Sequence, residues 1–305
     1  MYCEKCNMKI RGDEFSPCPN PNCGEPLIKY RMPKDDEDRL LLVNQDQAAN
    51  KLLNEAKKGI ESMLPCVKSR NGFRALEEMF SGNVCIGEVH QHLAARKFLL
   101  ANMATFSQKG YTHLFLEHVM RDKYCHSLQV QPRQDIIKNI DYQRVMAYLR
   151  GEALHNDESS IRSLVKAALS FHIKVVFFDT FLSYKHPKLY GGGKRQLVMN
   201  YQAIQAIREE QRSSAHFKWL ALLGNSHLDF WEVTLQDQPP FMIPGVSNMF
   251  DCKTLYFSAG ESNQIKDWTV KFNQSMDLEG NTSTADAVVY IKDLERTPLI
   301  TLKYS

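Results

Sequence analysis

The sequence predicts an α/β fold, a mainly parallel sheet with flanking helices, preceded by a small cysteine-rich unit. From residue 83 onward, short apolar runs alternate with helical patterns. Four of those runs end directly in chemically capable polar residues, and four of the eight cysteines fall within the first 23 residues. Strands separated by helices imply parallel pairing through right-handed crossovers.

Composition narrows the function classes. With 305 residues, 43% hydrophobic and 24% charged, the chain is an ordinary globular protein rather than a disordered, collagenous or coiled-coil one. A net charge of +3 is too small to make nucleic acid or an acidic membrane the main partner. No apolar run approaches the ~18 residues of a spanning helix. Met1-Tyr2-Cys3-Glu4-Lys5-Cys6 carries no basic-then-apolar secretory pattern, so a cytoplasmic protein is expected.

The first unit, residues 1–32, reads as a zinc ribbon. Cys3 and Cys6 are spaced C-x2-C, and Cys18 and Cys23 follow as C-x4-C. Two close thiolate pairs separated by a hairpin-length segment suit tetrahedral zinc. So short a segment has no hydrophobic core of its own, and metal binding would supply most of its folding energy. Two disulfides are the rival, disfavoured in a chain with no secretory signal. Four thiolates leave zinc no open position, so the ribbon is structural or docks a protein partner.

Residues 33–80 join this unit to the rest. Pro33 and Asp35-Asp36-Glu37-Asp38 suggest a solvated junction. Ala49, Leu52, Leu53, Ala56, Ile60, Met63 and Leu64 then recur at helical spacing up to Pro65, giving a helix that packs on the main domain. The main domain spans 81–305. Its strands are expected at Val84–Ile86, His113–Leu116, Lys174–Phe178 and Lys218–Leu223, with helices over 91–108, 135–150, 158–171 and 195–211. Further strands at Thr254–Phe257, Thr269–Phe272 and Ala287–Ile291 extend the sheet.

The polar residues fall where such a sheet binds ligands, beyond the carboxyl ends of its strands. The first strand runs into Gly87-Glu88-Val89-His90 and the second into Glu117-His118. The third ends in Asp179-Thr180, and the fourth in Gly224-Asn225-Ser226-His227. Each alone is an ordinary cap or loop residue; four in succession predict one cleft. A carboxylate can deprotonate water, and imidazole can take a proton or bind a metal. Hence the candidate catalytic residues are Glu88, His90, Glu117, His118, Asp179 and His227. The alternative is a second divalent metal on His90, Glu117 and His227, with an open water position.

Ile86-Gly87-Glu88-Val89-His90, the following helix and Leu114–His118 resemble the erythromycin esterase/ChaN-like superfamily. So do Phe178-Asp179-Thr180, Leu223-Gly224-Asn225-Ser226-His227 and Ile243–Val246, a likeness covering roughly residues 80–260. That group includes esterases, haem-binding lipoproteins, TIKI/TraB-type metalloproteases and domains of bacterial toxins. The resemblance implies an ester or peptide hydrolase, or a small-molecule binder, in a bacterial effector secreted into a host cell without a cleavable signal peptide. The metalloprotease branch implies metal on His90, Glu117 and His227; the esterase branch implies metal-free activation of water by Glu88, His90, Glu117 and His227. Only His92 follows the first motif closely, and out of register, which argues against haem. Nothing in the sequence stands out as the arginine that esterases carry in their cleft. A non-catalytic binding or targeting domain, docked through the ribbon, is the alternative function.

Smaller candidates remain. Gly191-Gly192-Gly193-Lys194 lacks the phosphate-loop pattern and reads as a loop before a helix, with Lys194 and Arg195 available to attract an anionic substrate. Cys125-His126 is a weak nucleophile pair, because adjacent residues on a strand face apart. Tyr184 is a candidate cleft-lining residue, and Cys66, Cys85 and Cys252 are expected as small buried hydrophobes.

Overall fold

The computed structural model describes residues 2–3, 8–9, 36–66, 73–89, 92–130, 136–150, 160–186, 189, 193–235, 239–259, 268–278, 281–291 and 300–302. At the N-terminus β1 (Tyr2–Cys3) pairs antiparallel with β2 (Met8–Lys9), placing Cys3 opposite Met8. Cys6, Cys18 and Cys23 lie outside the described residues.

Helix α1 (Asp36–Glu61) starts earlier than the apolar periodicity indicates. Asp36, Glu37 and Asp38 form its first turn. The main domain then runs α2 (Leu76–Met79), β3 (Asn83–Glu88), α3 (Ala94–Gln108), β4 (His113–Met120) and β5 (Ser127–Leu128). It continues with α4 (Ile140–Arg150), α5 (Ile161–Ser170), β6 (Lys174–Asp179), α6 (Phe181–Lys185) and α7 (Lys194–Ser213). Strand β7 (Trp219–Gly224), the hairpin β8 (Trp231–Val233) and β9 (Phe241–Ile243), β10 (Cys252–Ala259), β11 (Trp268–Leu278) and β12 (Asn281–Ile291) complete it.

Eight strands form one sheet in the order β11-β12-β10-β3-β7-β4-β6-β5. The six central strands are parallel, and β11 and β5 close the two edges antiparallel. Central strands buried on both faces explain why they read as continuous apolar runs, as every residue of β7 illustrates.

Alternation divides the core. Val84, Ile86, Leu114, Leu116, Leu220 and Leu222 face α3, α4 and α5, beneath the aromatic cluster of Phe80, Phe98 and Phe106. Cys85, Phe115, Phe178, Trp219 and Leu223 face the opposite way, toward Ala203, Ala206 and Ile207 of α7. Ala49, Ala56 and Ile60 of α1 pack on the far side of α7, against Leu197 and Ile204. Burying each such Leu, Ile or Phe is worth roughly 1.5–3 kcal/mol. Cys85 and Cys252 are buried as expected, whereas Cys66 is half-buried, since it follows the end of α1 beyond Pro65.

Candidate functional site

The sheet order makes β3, β7, β4 and β6 consecutive neighbours, so their carboxyl ends form one continuous rim. Glu88 lies in register with Gly224, and Met120 with Asp179. The β4–β6 register shifts between Leu116 and Met120, a bulge that re-aims Glu117 and His118. Glu88, Glu117, Asp179 and His227 are all buried. His90 lies outside the described residues.

These side chains fall into two groups. On the α3 side, Arg96 from the first turn of that helix clasps Glu88. Its Nε donates to both carboxylate oxygens, at 3.0 and 3.1 Å, and its Nη2 also donates to Oε1. His118 Nε2 stands 3.4 Å from Glu88 Oε1 and 3.4 Å from Arg96 Nη2. A guanidinium engaging both oxygens suits Glu88 to holding Arg96 and His118 in place.

On the α7 side, Glu117 Oε2 accepts the Gly224 N–H at 2.9 Å. Asp179 Oδ1 accepts the Thr180 N–H at 2.8 Å and the Ser183 hydroxyl, and Arg195 Nη2 lies 4.0 Å from Oδ2. Burial pushes the Asp179 carboxyl up to about 6. The donors Ser183 and Thr180 and the charge of Arg195 oppose that rise, while the charge of Glu117 adds to it. His227 Nδ1 is 2.8 Å from Asn200 Oδ1. Asn200 Nδ2 donates to Pro244 O at 3.0 Å, which fixes the amide orientation and makes His227 Nδ1 a donor to Asn200 Oδ1. A neutral ring held this way would present its lone pair at Nε2, as a histidine base does.

Sequence reading missed Arg96 and Asn200. Both carry the same signal, a polar residue on a buried helical stripe: Arg96 in phase with Leu99 and Met103, and Asn200 with Leu197 and Ile204. A buried charge or amide must be paired, so its phase alone marks a partner inside the fold.

The minor candidates separate. The thiol of Cys125 is pushed up to about 12 by burial, then by the nearby Asp141. His126 faces Glu209 and Glu210 at 3.9 and 3.6 Å, so this pair lacks the geometry of an activated nucleophile. Gly191 and Gly192 lie outside the described residues; Gly193, at φ 74°, opens α7 in the left-handed region. The side chain of Tyr184 also lies outside them. Among the described residues no three His, Cys, Asp or Glu side chains come together as a metal site. Glu117 and His227 are the described residues from the predicted set, each already holding a backbone or side-chain partner.

No family model matches the sequence, and no curated protein matches it. Among solved structures, one shares its fold and others show a weaker likeness. The C-terminal region of Pasteurella multocida toxin, described as having a thiol-protease-like catalytic triad, matches with a TM-score of 0.52 at 14% identity, over 70% of this chain and 30% of that one. The MARTX toxin effector domain RRSP from Vibrio vulnificus matches with a TM-score of 0.42 at 18% identity, over 68% and 38% of the two chains. The type III effector HopBA1 matches with a TM-score of 0.45 at 16% identity, over 72% and 92%. These neighbours are bacterial toxin and effector domains, and this chain spans less than a third of the length of the Pasteurella toxin structure it matches.

Proposed function

We propose that this chain is a hydrolase of the erythromycin esterase/ChaN-like type, working as a bacterial effector on an ester or peptide substrate. The observation that carries this reading is the gathering of Glu117, Asp179 and His227 at the ends of adjacent parallel strands, each with a distinct partner. Glu117 removes a proton from water, and the hydroxide formed attacks the substrate carbonyl carbon. His227, oriented by Asn200, holds the water and balances charge. As the carbonyl re-forms, the bond to the leaving group breaks, and Asp179 in its protonated form gives that group its proton. Glu88 and Arg96 serve as the fixed wall that sets His118.

Two parts of this reading rest on residues outside the described ones. His90 follows Glu88 closely enough to join the cleft, and with Glu117 and His227 would complete a metal-binding set. At the N-terminus, Cys3, Cys6, Cys18 and Cys23 hold zinc in a ribbon that docks a partner; the pairing of β1 with β2 around the first cysteine pair supports it.

The test is turnover of a panel of ester, amide and peptide substrates, with and without added divalent metal. Wild type should hydrolyse at least one class, and Glu117→Ala and His227→Ala should each lose at least about 100-fold in kcat, the usual scale of acid–base catalysis. Absence of turnover under every metal condition would favour a ligand-binding or targeting domain instead. Metal analysis of wild type, a Cys3/Cys6 double variant and His90→Ala assigns each metal to ribbon or cleft.

A further inference from the structure

Asn225 opens the 3-10 turn that carries His227, directly after the Gly224 whose N–H binds Glu117. Its carboxamide makes no hydrogen bond with any described residue. The Oδ1 atom is shut away from solvent without a partner, whereas Nδ2 is not shielded in this way. The oxygen presses on Gly87: a Cβ at that position would overlap Oδ1 and come within 2.9 Å of Leu228 Cδ1 and 3.0 Å of Tyr256 Cδ1. Glycine at 87 therefore leaves the room that Oδ1 fills. An oxygen set against a glycine Cα–H makes a weak favourable contact, while an N–H there would be wasted on carbon. This packing leaves the amide nitrogen on the branch away from Gly87, at the end of the strand that lies between those of Glu88 and Glu117.

We infer that Asn225 Nδ2 is the oxyanion donor of the cleft, hydrogen-bonding the substrate carbonyl oxygen as it gains charge when water adds to the carbonyl carbon. The inference rests on the hydrolase reading above. A donor held in place before the reaction acts on the transition state more than on bound substrate, so its loss appears in kcat.

The experiment compares steady-state kinetics of wild type, Asn225→Ala and Asn225→Asp on a substrate that wild type turns over, with thermal midpoints to verify folding. Both variants should lose about 100- to 1,000-fold in kcat, with KM changed less than about threefold. Asp keeps the shape and the acceptor oxygen but not the donors. Full activity in Asn225→Asp, or a kcat within about threefold of wild type in Asn225→Ala, overturns the donor role and leaves the hydrolase reading intact. If wild type turns over no substrate, the hydrolase reading fails and the donor role fails with it.

Discussion

Glu210 and Asp179 are carboxylates buried to 5% and 3% exposure, one where β4 and β6 begin and the other where β6 ends. Lys174 Nζ meets both oxygens of Glu210 at 2.8 and 2.7 Å, and His113 and His126 approach at 3.3 and 3.6 Å. Burial resists the charge of Glu210, but the hydrogen bonds of His113, His126 and Lys174 outweigh it and hold the carboxyl well below the usual range. Asp179 has neutral donors and one guanidinium at 4.0 Å, and burial prevails. One end of the strands has its charge matched for stability. The other keeps a carboxyl that changes charge near neutrality, as acid–base chemistry requires.

Breaking the matched end should have the largest effect. Glu210→Gln leaves Lys174 and His113 facing a neutral amide in a buried setting, and should lose about 3–5 kcal/mol by urea denaturation at pH 7. The depressed carboxyl of Glu210 contributes stability above its ordinary value of 4.5, lost as pH falls below it. An unchanged midpoint would mean that this network is not structural.

The other end should respond with the opposite sign. Asp179 binds its proton more tightly when folded than in the unfolded chain, where the ordinary value is 3.8. Stability should therefore fall as pH rises from 3.8 through about 6 and stay lower above it. At about 1.4 kcal/mol per pH unit the penalty reaches about 3 kcal/mol. Asp179→Asn should recover up to that amount at pH 8, and remove the slope between pH 4 and 6. A variant less stable than wild type at pH 8 would show that the Asp179 charge is matched after all.

Two smaller changes probe the carboxyl ends of the strands. Gly87→Ala forces a methyl against Asn225, Leu228 and Tyr256, and should lose about 1–3 kcal/mol from overpacking. No loss would mean that the Asn225 turn shifts freely. Ser183→Ala removes one donor from Asp179, and should cost about 1 kcal/mol while moving the carboxyl titration further upward. A downward or absent shift in a carbon-13 NMR titration would contradict the hydrogen-bond assignment.

The four central strands were legible because burial on both faces leaves unbroken apolar runs, such as Trp219 to Leu223. The hairpin β8–β9 was not, since strands of three residues show no period. That the polar residues fall at one rim follows from strand direction and was readable from Glu88, Glu117, Asp179 and His227. Their separation into two sets of partners was not. Glu88 and Glu117 follow similar apolar runs, and what separates them is Arg96 on a helix and the Gly224 N–H on another strand. The β4 bulge that aims Glu117 likewise leaves no mark in spacing.

Asp179 is proposed as the acid of the hydrolase, and the pH dependence of kcat/KM on an amide substrate reads that claim from the reaction itself. Wild type should lose activity as pH rises through about 6, because Asp179 gives up the proton that the leaving amine needs. Asp179→Asn should be slow throughout and lack that limb. The same limb in wild type and Asp179→Asn, at comparable rates, would contradict the claim.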